Sequence, residues 1–111
     1  MRRINPEELA IIEVLLKAGE IDLSVNEQQN VWVVNPEMGS IRSEYCPKGC
    51  RVHPVFSGEF DDRDGIPVIA TLLLTEDGKF GELDFWKVND EPLLELPKSH
   101  VDFKFHPMKD G

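Results

Sequence analysis

Residues 61–88 carry the most informative pattern of polar and apolar positions in the chain, DDRDGIPVIATLLLTEDGKFGELDFWKV. The turn signals Asp64-Gly65 and Asp77-Gly78 bracket an apolar run, which is followed by a run of mixed alternation. Glycine suits a turn that needs a positive φ, and β-branched and aromatic side chains suit strands. The pattern therefore predicts a β-hairpin with arms at residues 66–74 and 79–88.

The alternation of side chains across a strand assigns the second arm of this hairpin to two faces. Leu83 and Phe85 share one face, the better candidate for contact with a helix, and Glu82, Asp84 and Trp86 share the other. The first arm is apolar on both of its faces, which predicts a central strand covered on both sides.

The turn between the arms also predicts a register. With a turn over residues 75–78 and Gly78 left-handed, Leu74 pairs with Phe80, and Val68 pairs with Trp86. The face of Trp86 would then also carry the aliphatic side chains of the first arm: Val68, Ala70, Leu72 and Leu74.

Residues 4–19 have the periodicity and boundary signals of a helix. Asn5 suits the N-cap, Pro6 suits the first helical position, and Glu8 stands three residues after the cap. Gly19 suits the first residue past the end. The broad apolar face predicts burial against a sheet and consists of Leu9, Ile11, Ile12, Leu15 and Leu16.

The remaining segments predict further strands of an antiparallel sheet. Residues 31–34 and 40–45 form a first hairpin after a polar connection at 20–30, and residues 52–60 are extended, with Pro54 at an edge or a bulge. Residues 93–96 cover one end of the core, and residues 101–105 form a last edge strand. The predicted fold is α+β, a single domain over residues 1–111 in which an N-terminal helix packs on an antiparallel sheet of about four to six strands.

The charge balance is strongly acidic, with 12 basic and 21 acidic residues, a net charge of −9 and a pI near 4.7. Such a field repels nucleic acid and anionic lipid and attracts basic proteins or metal cations, although an acidic surface also simply favours solubility. No apolar run approaches the roughly 20 residues that span a bilayer. We therefore expect a cytoplasmic protein that binds neither nucleic acid nor membrane.

Cys46, Cys50 and His53 lie close together in sequence and allow three interpretations. They could hold zinc with His100 or His106 as a fourth ligand, although the spacing is unusual for zinc. Lys48 and Arg51 would favour thiolate in a reactive pair or a reversible disulfide. An ordinary loop with two free thiols is the interpretation that the sequence favours.

The sequence gives little support for a calcium site or for a catalytic site. The acidic run at residues 59–65 departs from a calcium loop, because Phe60 occupies the first ligand position and Thr71 the last. Glu82 and Asp84 could form a carboxylate pair, but such pairs are common on strands by chance. The sequence lacks a phosphate loop, a nucleophile elbow and HExxH. We therefore predict no catalytic residues and no cofactor.

Four segments occur together in a pattern that resembles a known family: Arg3-Ile4-x-Pro6-Glu7-Glu8, Met38-Gly39-Ser40-Ile41-Arg42, Asp64-Gly65-Ile66-Pro67-Val68 and Glu82-Leu83-Asp84-Phe85-Trp86-Lys87-Val88. The combination resembles an uncharacterised family of small bacterial proteins, a domain of unknown function, over about residues 3–97. The resemblance implies a compact bacterial domain and no established catalytic residues. The Cys46 to Cys50 loop is not part of the pattern.

The leading hypothesis is a non-enzymatic binding protein, most specifically an immunity protein that neutralises a basic bacterial toxin. Trp86 or Trp32 would anchor the partner. A plainer interpretation places the carboxylates at the sheet margin and packs Trp86 under a loop. The alternatives in function are a metal- or redox-responsive domain using Cys46, Cys50 and His53, a small hydrolase, or a housekeeping domain. The predicted partner contacts are Glu59, Asp61, Asp62, Asp64, Glu82, Asp84 and Trp86.

Overall fold

The computed structural model describes residues 1–97 and 103–107. The helix and strands have these bounds: β1 Arg2–Arg3, α1 Pro6–Ala18, β2 Asn30–Asn35, β3 Ser40–Ser43, β4 Val52–Asp61, β5 Pro67–Thr75, β6 Phe80–Lys87 and β7 Lys104–Pro107. The strands form one sheet in the order β1-β2-β3-β6-β5-β4-β7, and every neighbouring pair is antiparallel.

The predicted α+β class is confirmed, with α1 packed against one face of the sheet. The sheet has seven strands rather than four to six, because the two residues of β1 pair with β2. The core lies between α1 and the sheet and buries the side chains of Ile11, Ile12, Leu15, Leu16, Val31, Ile41, Phe56, Phe60, Val68, Ala70, Leu72, Leu83 and Phe85. None of the described helices is long and apolar enough to cross a membrane.

The predicted strand segments are found with small shifts. β2 and β3 form the expected hairpin, and Pro54 lies beside a bulge in a part of β4 that pairs with β5 alone. The edge strand predicted at residues 101–105 corresponds to β7, which spans Lys104–Pro107. Residues 101 and 102 of the prediction lie outside the described residues. Leu93 and Leu96 pack against the core, as predicted for the segment that contains them.

The start of α1 follows the sequence signals closely. The side chain of Asn5 accepts a hydrogen bond from the Glu8 N–H (2.8 Å), and the Glu8 carboxylate accepts one from the Asn5 N–H (3.0 Å). Glu8 is buried, and Arg2 donates two hydrogen bonds of 2.8 Å to its carboxylate. The capping box and β1 are therefore tied together by one carboxylate.

The end of α1 differs from the expectation for its glycine. Gly19 is the C-cap, but its φ is −83°, and the left-handed position falls on Glu20, with φ 53°. The N–H groups of Ile21 and Glu20 donate to the carbonyls of Leu16 (2.9 Å) and Lys17 (3.2 Å), which is the Schellman pattern.

We expect Glu20→Gly to raise the free energy of unfolding by about 0.5–1 kcal/mol, because glycine adopts positive φ without the steric strain of a Cβ. Urea titration followed by circular dichroism measures the effect. Asp22→Gly is the matched control: Asp22 is also exposed but has no positive φ, so its replacement should lower stability slightly. Equal destabilisation by the two substitutions would contradict the assignment of the left-handed position to Glu20.

The predicted register of the β5–β6 hairpin is confirmed at the turn and is wrong beyond it. Gly78 is left-handed and Leu74 pairs with Phe80, as predicted. However, Leu73 pairs with Glu82, so Gly81 is an extra residue in β6. A Cβ at Gly81 would lie 2.6 Å from Val52 Cγ1, so any larger residue at the bulge would have to displace the Val52 side chain.

The bulge shifts every pair beyond it by one residue. Val68 pairs with Lys87, and Trp86 pairs with Ile69, so the predicted pairing of Val68 with Trp86 is wrong. Val68, Ala70 and Leu72 consequently lie on the core face together with Leu83 and Phe85. The opposite face, which carries Trp86, instead receives the alternate residues of β5: Ile69, Thr71 and Leu73.

Candidate functional site

The sheet face opposite α1 is the candidate site, and we call it the open face. Three neighbouring strands place alternate residues there, and the members are Ser57, Glu59 and Asp61 of β4, Ile69, Thr71 and Leu73 of β5, and Glu82, Asp84 and Trp86 of β6. In residues 1–97 and 103–107 no second helix or sheet layer packs over this face.

Trp86 is the most exposed large side chain of the open face, with 47% of its surface accessible. Its indole Nε1–H donates a 2.8 Å hydrogen bond to the carboxylate of Asp90, which has a positive φ of 61°. Ile69 lies beside Trp86 on β5, and Glu59 follows in the same row on β4. The ring is therefore held by one hydrogen bond while much of its surface remains open to contact.

A row of polar side chains crosses the open face next to Trp86. The Ser40 hydroxyl donates to the Asp84 carboxylate (3.1 Å) and accepts from the Phe85 N–H (2.9 Å). Across β5 and β4, the hydroxyl oxygens of Thr71 and Ser57 lie 2.9 Å apart in a hydrogen bond. Burial raises the pKa of Asp84, the Ser40 hydrogen bond opposes that effect, and the charge of Glu82 adds to it.

We expect Asp84→Asn to raise the midpoint of thermal unfolding at pH 7 by about 2–4 °C. A carboxyl with a pKa above its unfolded value loses stability as pH rises from the unfolded pKa through the folded one, so ionised Asp84 is unfavourable at neutral pH. Asparagine keeps an acceptor for Ser40 without the charge. Scanning calorimetry at pH 7 and pH 3 should show the gain only at pH 7, and Asp61→Asn on the exposed end of the same face should leave the midpoint unchanged.

The predicted contact residues differ in their position and their burial. Glu59, Asp61, Asp84 and Trp86 lie on the open face, and Asp61 is exposed at its end. Glu82 also lies on the open face, but it is buried and accepts a 2.6 Å hydrogen bond from Arg42 Nε. Its carboxylate therefore serves an internal ion pair.

Asp62 and Asp64 form a cluster with Lys87 at the end of the sheet, in which Asp62 is buried and Asp64 is exposed. Lys87 is 1% exposed, and its Nζ lies 2.9 Å from Asp62 Oδ2 and 2.7 Å from Asp64 Oδ2. Asp62 is also buried and accepts N–H hydrogen bonds from Arg63, Leu94 and Glu95 at 2.7–3.1 Å. The Asp62 carboxylate is therefore enclosed by the chain itself, and its contact with a partner stays a prediction.

The pKa values of this cluster favour its charged state. Burial alone would raise the pKa of Asp62, but the hydrogen bonds from Leu94, Lys87, Arg63 and Glu95 lower it. The Lys87 ammonium lowers the pKa of Asp64. Burial would lower the pKa of Lys87, but the two carboxylates raise it.

Cys46 and Cys50 form a disulfide, with Cα atoms 5.2 Å apart. The interpretation of this segment as a loop with two free thiols is therefore wrong. In the described part of the chain no group of three or more His, Cys, Asp or Glu side chains is placed to hold a metal ion. His53 is exposed, His106 lies on β7 opposite Ser57, and His100 lies outside the described residues.

The disulfide loop is attached to the sheet by two side chains of neighbouring strands. Trp32 Nε1 donates to the Cys46 carbonyl (3.1 Å), and Arg42 Nη1 donates to the carbonyls of Pro47 and Cys50 (3.3 Å each). Trp32 thus holds the loop and is half-buried, whereas Trp86 is exposed.

The sequence reasoning did not identify Lys87 or Arg42, which organise these two regions. A signal existed for Lys87, because it continues the core-facing alternation of Leu83 and Phe85. A lysine at such a position indicates a buried ion pair. Arg42 had no comparable signal, since it depends on the pairing of β3 with β6.

A sheet with one face covered by a helix and the other open describes an α+β domain but no known activity. Residues 1–97 match the model of a domain of unknown function, DUF6984, and the chain belongs to this family. No curated protein and no solved structure matches the chain.

Proposed function

We propose that this protein is a non-enzymatic binding protein that docks a basic protein partner on the open face. The observation that carries the proposal is the exposed indole of Trp86 on a sheet face that also bears Glu59, Asp61 and Asp84. Aromatic anchors surrounded by polar side chains are typical of the energetic centres of protein interfaces.

The held position of Trp86 supports its role as an anchor. A side chain that is ordered before binding loses less conformational entropy when the partner arrives. The hydrogen bond to Asp90 satisfies the indole N–H, and Ile69 lies beside Trp86 in the adjacent strand. A partner could therefore cover the ring without leaving a buried donor unpaired.

The charge of the chain supports a basic partner. The open face carries four carboxylates, those of Glu59, Asp61, Glu82 and Asp84. In the described residues the sheet register places two cations opposite them, Arg42 beside Glu82 and Lys104 beside Glu59. A net charge of −9 adds long-range attraction for a cationic protein. In its most specific form the proposal is an immunity protein that neutralises a basic bacterial toxin, which the small size and the acidic charge support.

Co-expression with the product of the neighbouring upstream gene tests the proposal. We expect a basic protein to co-purify with the chain at about 50 mM salt and to dissociate at about 500 mM, because salt screens the attraction between opposite charges. If that gene encodes no toxin and no basic protein is retained at low salt, the proposal is wrong.

A further inference from the structure

The two sulfurs of the Cys46–Cys50 disulfide have different surroundings. Cys46 is fully buried, with 0% of its surface exposed. Cys50 is partly exposed and lines an open depression of about 630 Å³ between the loop and the β5–β6 turn. The other residues that line this depression are Tyr45, Arg51, Thr75, Glu76, Asp77 and Lys79. A small molecule can therefore approach the disulfide from the side of Cys50.

Arg42 places a positive charge beside the buried sulfur. Its Nη1 lies 4.0 Å from Cys46 Sγ, and its Nε is held by the Glu82 carboxylate at 2.6 Å. A cation beside a cysteine stabilises the thiolate, and a thiol with a lower pKa is the better leaving group in disulfide exchange. The disulfide is thus accessible at one sulfur and stabilised for departure at the other.

We propose that Cys46–Cys50 is a thiol–disulfide exchange site for a low-molecular-weight thiol, in which Cys50 is attacked and Cys46 is the leaving group. The thiol gives its proton to solvent, and the thiolate forms a bond to Cys50 Sγ. The bond between the two cysteine sulfurs breaks, and its electron pair stays on Cys46 as a thiolate beside Arg42. Cys50 then carries the small thiol as a mixed disulfide.

Two routes resolve the mixed disulfide. Cys46 thiolate can attack Cys50 Sγ, which restores the disulfide and expels the small thiolate. A second small thiolate can instead attack the sulfur of the first, which yields their oxidised dimer and leaves Cys50 as a thiolate. The second route consumes two thiols for each dithiol formed. This chemistry goes beyond partner binding and does not depend on it.

The site of attack can be read directly with reduced glutathione as the probe. The oxidised full-length protein is incubated with glutathione under native conditions and quenched with iodoacetamide, and its peptides are mapped by mass spectrometry. We expect glutathione on Cys50 and the alkyl group on Cys46. Glutathione on Cys46, or a disulfide that reacts only in denaturant, would overturn the proposal.

Single-cysteine variants give a matched comparison that does not require disulfide opening. With oxidised glutathione, Cys46→Ser should form the mixed disulfide at Cys50 at least about tenfold faster than Cys50→Ser forms it at Cys46. In about 6 M urea the two variants should react at similar rates, which checks that burial causes the difference. Equal rates under native conditions would contradict the assigned roles.

Two substitutions, one that removes the positive charge of Arg42 and one that keeps it, test the role of this residue. We expect Arg42→Gln to slow opening of the native disulfide by glutathione by about three- to tenfold, whereas Arg42→Lys should retain most of the rate. Thermal unfolding of both variants checks that the loop remains folded. Equal slowing by the two substitutions would show that Arg42 contributes only loop structure and would remove the leaving-group role.

Discussion

Lys87→Met should lower the midpoint of thermal unfolding by about 10–20 °C. Methionine is close in length to lysine and fills the same space, so packing is largely kept. The loss comes from Asp62, whose buried carboxylate would remain without its counter-cation. Removing one partner of a buried ion pair is strongly unfavourable because the remaining charge is desolvated and unpaired. Scanning calorimetry at pH 7 measures the shift.

Lys79→Met is the matched control for this substitution. Lys79 also lies near an aspartate, Asp77, at 3.7 Å, but both side chains are about two-thirds exposed, at 64% and 66%. Exposed pairs contribute little, so the midpoint should move by no more than about 2 °C. Adding Asp62→Asn to Lys87→Met should recover part of the loss. No recovery would contradict the explanation by an unpaired charge.

The pH dependence of the same cluster follows from the directions of its pKa shifts. Asp62 and Asp64 have lowered pKa values, so their contribution is present above the unfolded value near 3.9 and is lost as pH falls through the folded values. Lys87 has a raised pKa, so its contribution is present below about 10.4 and is lost at higher pH. The stability difference between wild type and Lys87→Met should therefore be largest between about pH 5 and pH 9 and shrink below pH 4.

Trp86→Ala should weaken binding of the proposed basic partner by about 30- to 100-fold, or about 2–3 kcal/mol, while the fold remains intact. The indole is 47% exposed on the open face, and its N–H is already paired with Asp90. Its removal deletes the contact area that the partner would bury. Isothermal titration calorimetry with the co-purified partner measures the change.

Tyr45→Ala is the control for the loss of an exposed aromatic ring. Tyr45 is 66% exposed and lies near Thr75 at the opposite end of β5, where Lys79 sits 5.8 Å above its ring. We expect this substitution to leave the affinity for the partner within about twofold of wild type. Equal losses from Trp86→Ala and Tyr45→Ala would show that the open face is not the specific docking surface.

Local signals in the sequence predicted most of the elements. Asn5, Pro6 and Glu8 define the start of α1 because capping is a matter of a few consecutive residues. Asp77-Gly78 marks the β5–β6 turn for the same reason, since positive φ at Gly78 is a local requirement. The face that carries Glu82, Asp84 and Trp86 also follows from simple alternation along β6.

The register could not be predicted because it depends on a contact between distant segments. Gly81 is an extra residue in β6, and its close approach to Val52 of β4 cannot be read from residues 79–88 alone. One extra residue exchanges the two faces of β5 relative to β6. Trp86 therefore lies beside Ile69 rather than Val68, which gives the open face a different composition from the predicted one.

The sequence predicts only in part which acidic side chains are buried in ion pairs and which are exposed. Phe85 and Lys87 share one parity along β6, and Asp62 follows directly after the end of β4 with the parity of Phe60, so alternation indicates that both side chains face the core side of the sheet. The Asp62 carboxylate that pairs with Lys87 also accepts hydrogen bonds from residues 94 and 95, and these come from a distant segment that alternation does not reveal. The contacts of the disulfide loop with Trp32 and Arg42 likewise join segments that are separate in sequence.

Amide chemical-shift mapping of the ¹⁵N-labelled chain tests the central claim most directly. The co-purified basic partner is added to saturation, and the shifted amides are placed on the sheet. We predict the largest shifts at the open-face positions Glu59, Ile69, Thr71, Asp84 and Trp86, together with the indole N–H of Trp86. Shifts confined to α1 or to the loop of residues 46–50, with the open face unchanged, would contradict the account.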